Sequence, residues 1–250
     1  MLLKNYKRIH KLKVLLTALW IVVSWFFLWW WYNNKITSWN IVILLDLSHS
    51  MNTQDMLSGW IQVSRIDVAQ SIMSSTTREN KSKKIWLILF ADRATYHIPP
   101  TYDHKKLLNI YTSLHTNMIP AQWSNISQAL NYAASTSNNN DTIILITDGW
   151  ETDNMYTGSL ANELIIIWVG TQNGGVVRDA NGTIYKNSNG EPHLSSRNTD
   201  YLKQLQEMTN ASMKLFEKNS NETITLLSSS WSSNNLRITP ILIFAAIFAL

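Results

Sequence analysis

Asp46, Ser48 and Ser50 set three oxygen-bearing side chains at alternate positions directly after the apolar run 41–45 (IVILL). Carboxylate and hydroxyl oxygens suit a hard divalent cation, since magnesium takes near-octahedral oxygen coordination and keeps several of its waters. The run before them is short, unbroken and rich in β-branched residues, the pattern of a strand buried on both faces of a parallel sheet. Ligands of open α/β sheets bind beyond the carboxyl ends of such strands, where these three residues fall. The same residues also suit a polar turn after a core strand, with Asp46 capping the helix that follows. Five residues alone do not separate the two readings.

The elements that must position them alternate in kind. Trp60 to Thr76 carry Ile61, Ile66, Val68, Ala69, Ile72 and Met73 at roughly helical spacing. Ile85 to Phe90 form a second buried strand, and Ala94 to Ile98 alternate as an edge strand stopped by Pro99-Pro100. Helices are expected over His104 to Leu114 and over Ser124 to Ala134, the latter capped by Ser124. Thr142 to Thr147 and Glu163 to Val169 are further buried strands, and the helix Asp200 to Thr209 precedes a last strand, Ser212 to Phe216. The expectation is an α/β fold with a doubly wound, mostly parallel sheet flanked by helices. Residues 174–197 interrupt it as a polar insert with two turn signals, Asn181-Gly182 and Asn189-Gly190.

The 250 residues suffice for one substantial domain, here 38–218, plus appendages. Hydrophobic content of 45% beside only 15% charged residues fits a chain partly embedded in a membrane. Residues 14–32 carry no charge and are long enough to cross about 30 Å of hydrocarbon. Trp29, Trp30, Trp31 and Tyr32 occupy the place of a signal-peptide cleavage site, which favours an uncleaved transmembrane helix with an aromatic belt. Lys4, Lys7, Arg8, Lys11 and Lys13 lie in the basic tail 1–13, against Lys35 beyond the apolar stretch. That asymmetry keeps the N-terminus in the cytoplasm and puts the domain on the outer face of the cytoplasmic membrane. The net charge of +4 resides largely in this tail, so a nucleic-acid partner is excluded. Zero cysteines exclude disulfides and thiolate metal sites. A Ser/Asn-rich linker, 219–235, leads to an apolar segment, 238–250, a candidate second membrane segment.

Two more oxygen donors sit where they can join the first three: Asp148 at the end of a central strand, and Ser124 at the start of a helix between two strands. With these the chain resembles the von Willebrand factor type A domain and its metal-ion-dependent adhesion site. The resemblance lies in DLSHS (Asp46, Ser48, Ser50), in TDG (Asp148), and in SNISQAL from Ser124, where Trp123-Ser124 replaces the family's Gly-Thr pair but keeps a hydroxyl. Segment 88–103 (ILFADRATYHIPPTYD) and the late insert with its final helix are similar to bacterial Bat-type membrane proteins associated with MoxR ATPases. The resemblance implies a metal site built from Asp46, Ser48, Ser50, Ser124 and Asp148, holding Mg²⁺ or Mn²⁺. It also implies a protein partner that lends a carboxylate to the metal, Bat-like proteins and a MoxR-type AAA+ ATPase as associates, and a lipid bilayer as anchor.

Catalysis is not expected. A haloacid-dehalogenase-type phosphatase needs a second acid two positions after its aspartate, and here that residue is Ser48. No nucleophile elbow, phosphate-binding loop or zincin helix occurs. His49 is expected to be a loop residue, and Asp55, Asp92 and Asp153 solvated loop residues near the metal face. A surface adhesin gripping an extracellular ligand through the same metal is the alternative to an envelope-assembly role.

Overall fold

The computed structural model describes residues 13, 17–29, 40–119, 123–150, 156–179, 181–187 and 189–215. The basic tail apart from Lys13, the flanks 14–16 and 30–32 of the expected membrane span, the linker 219–235, the apolar segment 238–250 and Asp153 lie outside them. The chain divides into two units, Met1–Trp39 and Asn40–Leu250. In the first, residues 17–29 form helix α1, whose Trp20, Trp25, Phe27 and Leu28 are exposed. Among the described residues no helix is long and apolar enough to cross a membrane.

The second unit is a six-stranded sheet in the order β10-β7-β6-β1-β4-β5. Its strands are β1 (Ile41–Asp46), β4 (Ile85–Phe90), β5 (Ala94–Thr101), β6 (Thr142–Thr147), β7 (Glu163–Trp168) and β10 (Ser212–Leu215). All neighbours pair in parallel except β5, which runs antiparallel to β4 at the edge. Among the described residues four further helices flank it: α2 (Arg65–Glu79), α3 (His104–Tyr111), α4 (Ile126–Thr136) and α5 (Thr199–Thr209).

Alternation along β1 shows why the sheet is buried on both sides. Ile41, Ile43 and Leu45 join the core layer containing Ile66, Ala69, Ile72 and Met73 of α2 and Leu107 and Tyr111 of α3. Val42 and Leu44 join the opposite layer, with Ile126, Ala129 and Leu130 of α4 and Leu202 and Leu205 of α5. Strands β4 and β6 lie on either side of β1, so the sheet winds outward from it in both directions. Such a reversal opens a crevice beyond the carboxyl ends of the two diverging strands. The register Leu45↔Ile146 therefore sets Asp46 beside Thr147, with Asp148 one residue beyond.

Several local expectations are corrected. The helix expected from Trp60 starts at Arg65, because Ser64 and Asp67 form a reciprocal capping box there. The preceding residues pair as a hairpin, β2 (Met56–Ser58) with β3 (Ile61–Val63), around Gly59 at φ +63°. Asn125, rather than Ser124, caps α4 by accepting from the Gln128 N–H. Asp46 caps no helix: a single 3₁₀ turn, His49–Asn52, follows it, and the Asp46 carboxylate instead accepts from the Ser48 N–H. Strand β5 continues through Pro99-Pro100 to Thr101, which an edge strand tolerates because one side of it has no ladder to serve.

The insert folds as the expected β-excursion. β8 (Gly175–Val176) pairs with β9 (Leu194–Ser195), and isolated bridges join Arg178 to Ile184 and Lys186 to Pro192. Gly182 and Gly190 take positive φ at its two turns.

Leu44 is fully buried at the centre of the sheet. Leu44→Ala is expected to cost about 2–5 kcal/mol of domain stability in urea denaturation, from lost burial plus the cavity left behind.

Candidate metal site

At the carboxyl end of β1 the Asp46 carboxylate is wholly enclosed. Its Oδ1 accepts from the Ser48 N–H at 2.8 Å, which turns the chain sharply and brings the next hydroxyls back toward the strand end. The Ser48 and Ser50 hydroxyl oxygens lie 3.0 Å apart, both buried. Asp46 Oδ2 accepts from the Thr147 hydroxyl at 2.7 Å, a bond delivered by the neighbouring strand. Asp148, also fully buried, lies near enough for its charge to act on Asp46.

Ser124 reaches the same strand end from the start of α4. Its hydroxyl donates to the Trp150 carbonyl at 2.5 Å, and the Trp150 N–H donates to Asp148 Oδ1 at 3.1 Å. Trp123 keeps half of its surface exposed while Ser124 is buried. The large residue where the family has glycine thus leaves the serine at the strand ends. The structure gathers Asp46, Ser48 and Ser50 directly, Asp148 beside them, and Ser124 through the loop after β6.

The residue that organises these carboxylates has no counterpart among the expected site residues. Arg65, the first residue of α2, is completely buried. Its Nη1 donates to Asp148 Oδ2 at 2.5 Å and to the Ser195 hydroxyl at 3.0 Å. Its Nε and Nη2 form a fork on Asp55, at 3.0 and 2.7 Å, and Nη2 also donates to the Ser195 carbonyl at 2.9 Å. Asp55 is thus no solvated loop residue: its side chain is 3% exposed, and Oδ2 also accepts from the Thr171 N–H and hydroxyl. Asp92 is partly exposed and pairs with Arg93 at 3.7 Å. Gly170, at φ +92°, completes the arginine's cradle, since a Cβ there would stand 2.6 Å from Arg65 Nε. A basic residue in a helix's first turn opposes the macrodipole. That local anomaly was the signal in the sequence that Arg65 has tertiary partners.

His49 also departs from expectation. Its ring stacks on Tyr185 of the insert with centroids 4.5 Å apart, and its Nε2 lies 3.2 Å from the tyrosine hydroxyl. Burial holds the imidazole below its ordinary value, against the opposing pull of Asp179.

The electrostatics test whether this donor set fits a cation. Asp46, Asp55 and Asp148 supply three negative charges and Arg65 one positive, a formal excess of −2 in buried surroundings. Uncompensated buried charge is costly. Burial first, and Asp148 second, raise the Asp46 pKa from 3.8 to about 7, while hydrogen bonds from Ser48 and Thr147 lower it only in part. Burial alone would lower the Arg65 pKa, but Asp148 and Asp55 raise it overall. Among the described residues no three acidic, histidine or cysteine side chains converge as a metal-binding group. The oxygen set here has two carboxylates, its remaining members being hydroxyls. Hard oxygen donors around a −2 excess fit a small divalent cation.

Two outcomes are expected. Arg65→Met strands two buried carboxylates and should cost about 3–5 kcal/mol in urea denaturation. In chelator, the proton on folded Asp46 contributes stability that is fully present below about pH 4 and lost as pH rises through about 7. The melting temperature of Asp46→Asn relative to wild type should therefore climb across that interval in thermal scans.

Residues 41–151 match the family model of the von Willebrand factor type A domain. The fold matches the crystal structure of the conserved hypothetical protein BatB from Bacteroides thetaiotaomicron with a TM-score of 0.69 and 22% identity, over 78% of this chain and 98% of that one. It likewise matches an aerotolerance-related membrane protein from Bacteroides fragilis, solved with multiple mutations to serines, with a TM-score of 0.67 and 21% identity, over 77% and 98% of the two chains. No curated protein matches the sequence. Residues 41–151 are therefore similar to the von Willebrand factor type A domain, in a chain whose fold resembles that of BatB and the aerotolerance-related protein.

Proposed function

We propose that the chain is a membrane-anchored interaction module that joins a protein partner through a divalent cation, Mg²⁺ or Mn²⁺, held by Asp46, Ser48 and Ser50 with Ser124 and Asp148. The observation that carries this reading is the buried −2 excess beside the Ser48–Ser50 hydroxyl pair. The cation supplies an exchangeable coordination position, which a carboxylate of the partner fills.

The chain's own residues account for the selectivity of that arrangement. Both Asp148 oxygens already accept protein donors, from Arg65 and from the Trp150 N–H, so their orientation is fixed within the domain. The hydroxyls are neutral. Hydroxyls fill coordination positions without adding charge, and an incoming carboxylate takes the open position as an anionic oxygen donor, the kind of ligand a hard cation prefers. The strand order, with β1 between β4 and β6, supports a site beyond the strand ends, where ligands of open α/β sheets bind.

Membrane anchoring rests on residues 14–32, uncharged throughout, and on the exposed aromatic surface of α1. The basic residues before that segment orient the domain outside the cytoplasm. The role extends, on the sequence resemblance to Bat-type proteins alone, to envelope assembly or stress tolerance with a MoxR-type ATPase. A reporter inserted in 219–235 tests the orientation: cytoplasmic reporter activity sinks it.

The metal reading is tested on the full chain in detergent micelles. A cation that binds only the folded state raises the melting temperature, by about 5–10 °C at a hundredfold excess over Kd. Wild type is expected to show this shift with Mg²⁺. Asp46→Asn and Ser50→Ala are expected to lose it while still unfolding cooperatively. An unshifted wild type at saturating Mg²⁺ would refute the metal site.

A further inference from the structure

The insert builds a feature that metal coordination does not use. It is fixed against the strand ends at two points: Ser195 accepts both Arg65 bonds, and Tyr185 stacks on His49. Between these anchors and the loop after β6 lies a cleft of about 250 Å³. Its inner wall includes Ser50, His49 and Trp150, and its outer wall Lys186, Asn187 and His193 of the insert.

Three observations bear on what enters it. First, Ser50 belongs to the candidate donor set and to the cleft wall, so the cleft opens directly beside the coordination position. Second, the cleft is smaller than the roughly 300–1,000 Å³ typical of small-molecule sites, and suits one side chain of a bound polypeptide. Third, Lys186 is the lining residue that carries a formal charge, and among the described residues its ammonium forms no ion pair. Two acids of the insert hydrogen-bond within its own turns, and the charge of Asp179 still acts on His49 and Tyr185 of the cleft. Asp179 Oδ1 accepts from the Asn181 and Thr183 N–H groups, and Glu191 Oε2 accepts from the Asn187 amide at 3.3 Å.

We propose that this cleft is a subsite for a second carboxylate, so that the preferred partner is an extended acidic segment with two carboxylates on one face. This inference rests on the metal-dependent reading above. One carboxylate completes the cation's coordination, and the other lies in the cleft against Lys186, with the His193 ring and the Trp150 indole as its sides. In an extended chain residues i and i+2 point to the same side, about 7 Å apart. An acid-x-acid peptide presents its two carboxylates in this way. The two fixed anchors hold the outer wall in place before binding, so little ordering is required of the insert when the segment arrives.

The test uses the full chain in micelles and fluorescein-labelled, end-capped peptides that differ at one position: Gly-Gly-Asp-Gly-Asp-Gly-Gly, and the same peptide with Asn or Phe as the second acid's replacement. Anisotropy titrations are run in Mg²⁺ and in chelator. The two-acid peptide is expected to bind wild type about fivefold more tightly than the Asn peptide. Lys186→Ala should erase that advantage, while leaving the Mg²⁺-induced thermal shift and Asn-peptide binding unchanged. Equal binding of the Asp and Asn peptides, tighter binding of the Phe peptide, or an advantage that survives Lys186→Ala each overturns the subsite and leaves the metal site standing. If no peptide binds in a magnesium-dependent way and no thermal shift occurs, the metal reading falls and this one with it.

Discussion

Two carboxylates buried at neighbouring strand ends, Asp46 and Asp148, impose the condition that the surrounding structure answers. Like charges in a poorly solvated site repel and resist ionisation together. The protein answers with donors from four directions: the Ser48 and Trp150 N–H groups, the Thr147 hydroxyl, and the Arg65 guanidinium. These orient the oxygens without cancelling their charge. Because Asp55 shares the arginine, the cluster stays negative, and that residual charge makes the place a site instead of a completed ion-pair network.

The sheet topology brings this about. β1 is the strand from which the sheet winds both ways, so its end and that of β6 border the crevice. Helix α2 starts where its first residue reaches back beneath that crevice, and the Ser64–Asp67 capping box sets the starting point. The insert then closes one side. A single arginine therefore touches the strand end, the loop before the β2–β3 hairpin and the insert at once. Perturbing any of these segments is felt at Asp148.

Much of the fold was legible because its signals are local. Runs such as 41–45 and 142–147 are apolar without break, as strands covered on both faces must be, and their boundaries came within a residue. The candidate donors Asp46, Ser48, Ser50 and Asp148 were legible for the same reason, since they follow those runs within a few residues, whereas Ser124 follows none. What escaped was set by partners distant in sequence. Arg65 lies 83 positions from Asp148 and 130 from Ser195, and no periodicity connects them. His49 was read as a plain loop residue because its stacking partner sits 136 positions away in the insert. Strand β3 was merged into the helix expected from Trp60 because Ile61 fits either period over so short a stretch.

The edge strand β5 has a consequence for how copies of the domain meet. Pro99 and Pro100 lack N–H groups, so the free margin of β5 cannot offer a continuous row of donors to a foreign strand. Lateral growth of the sheet from one copy into the next is blocked at that margin. Domains crowded together are consequently kept from zipping into fibres along β5.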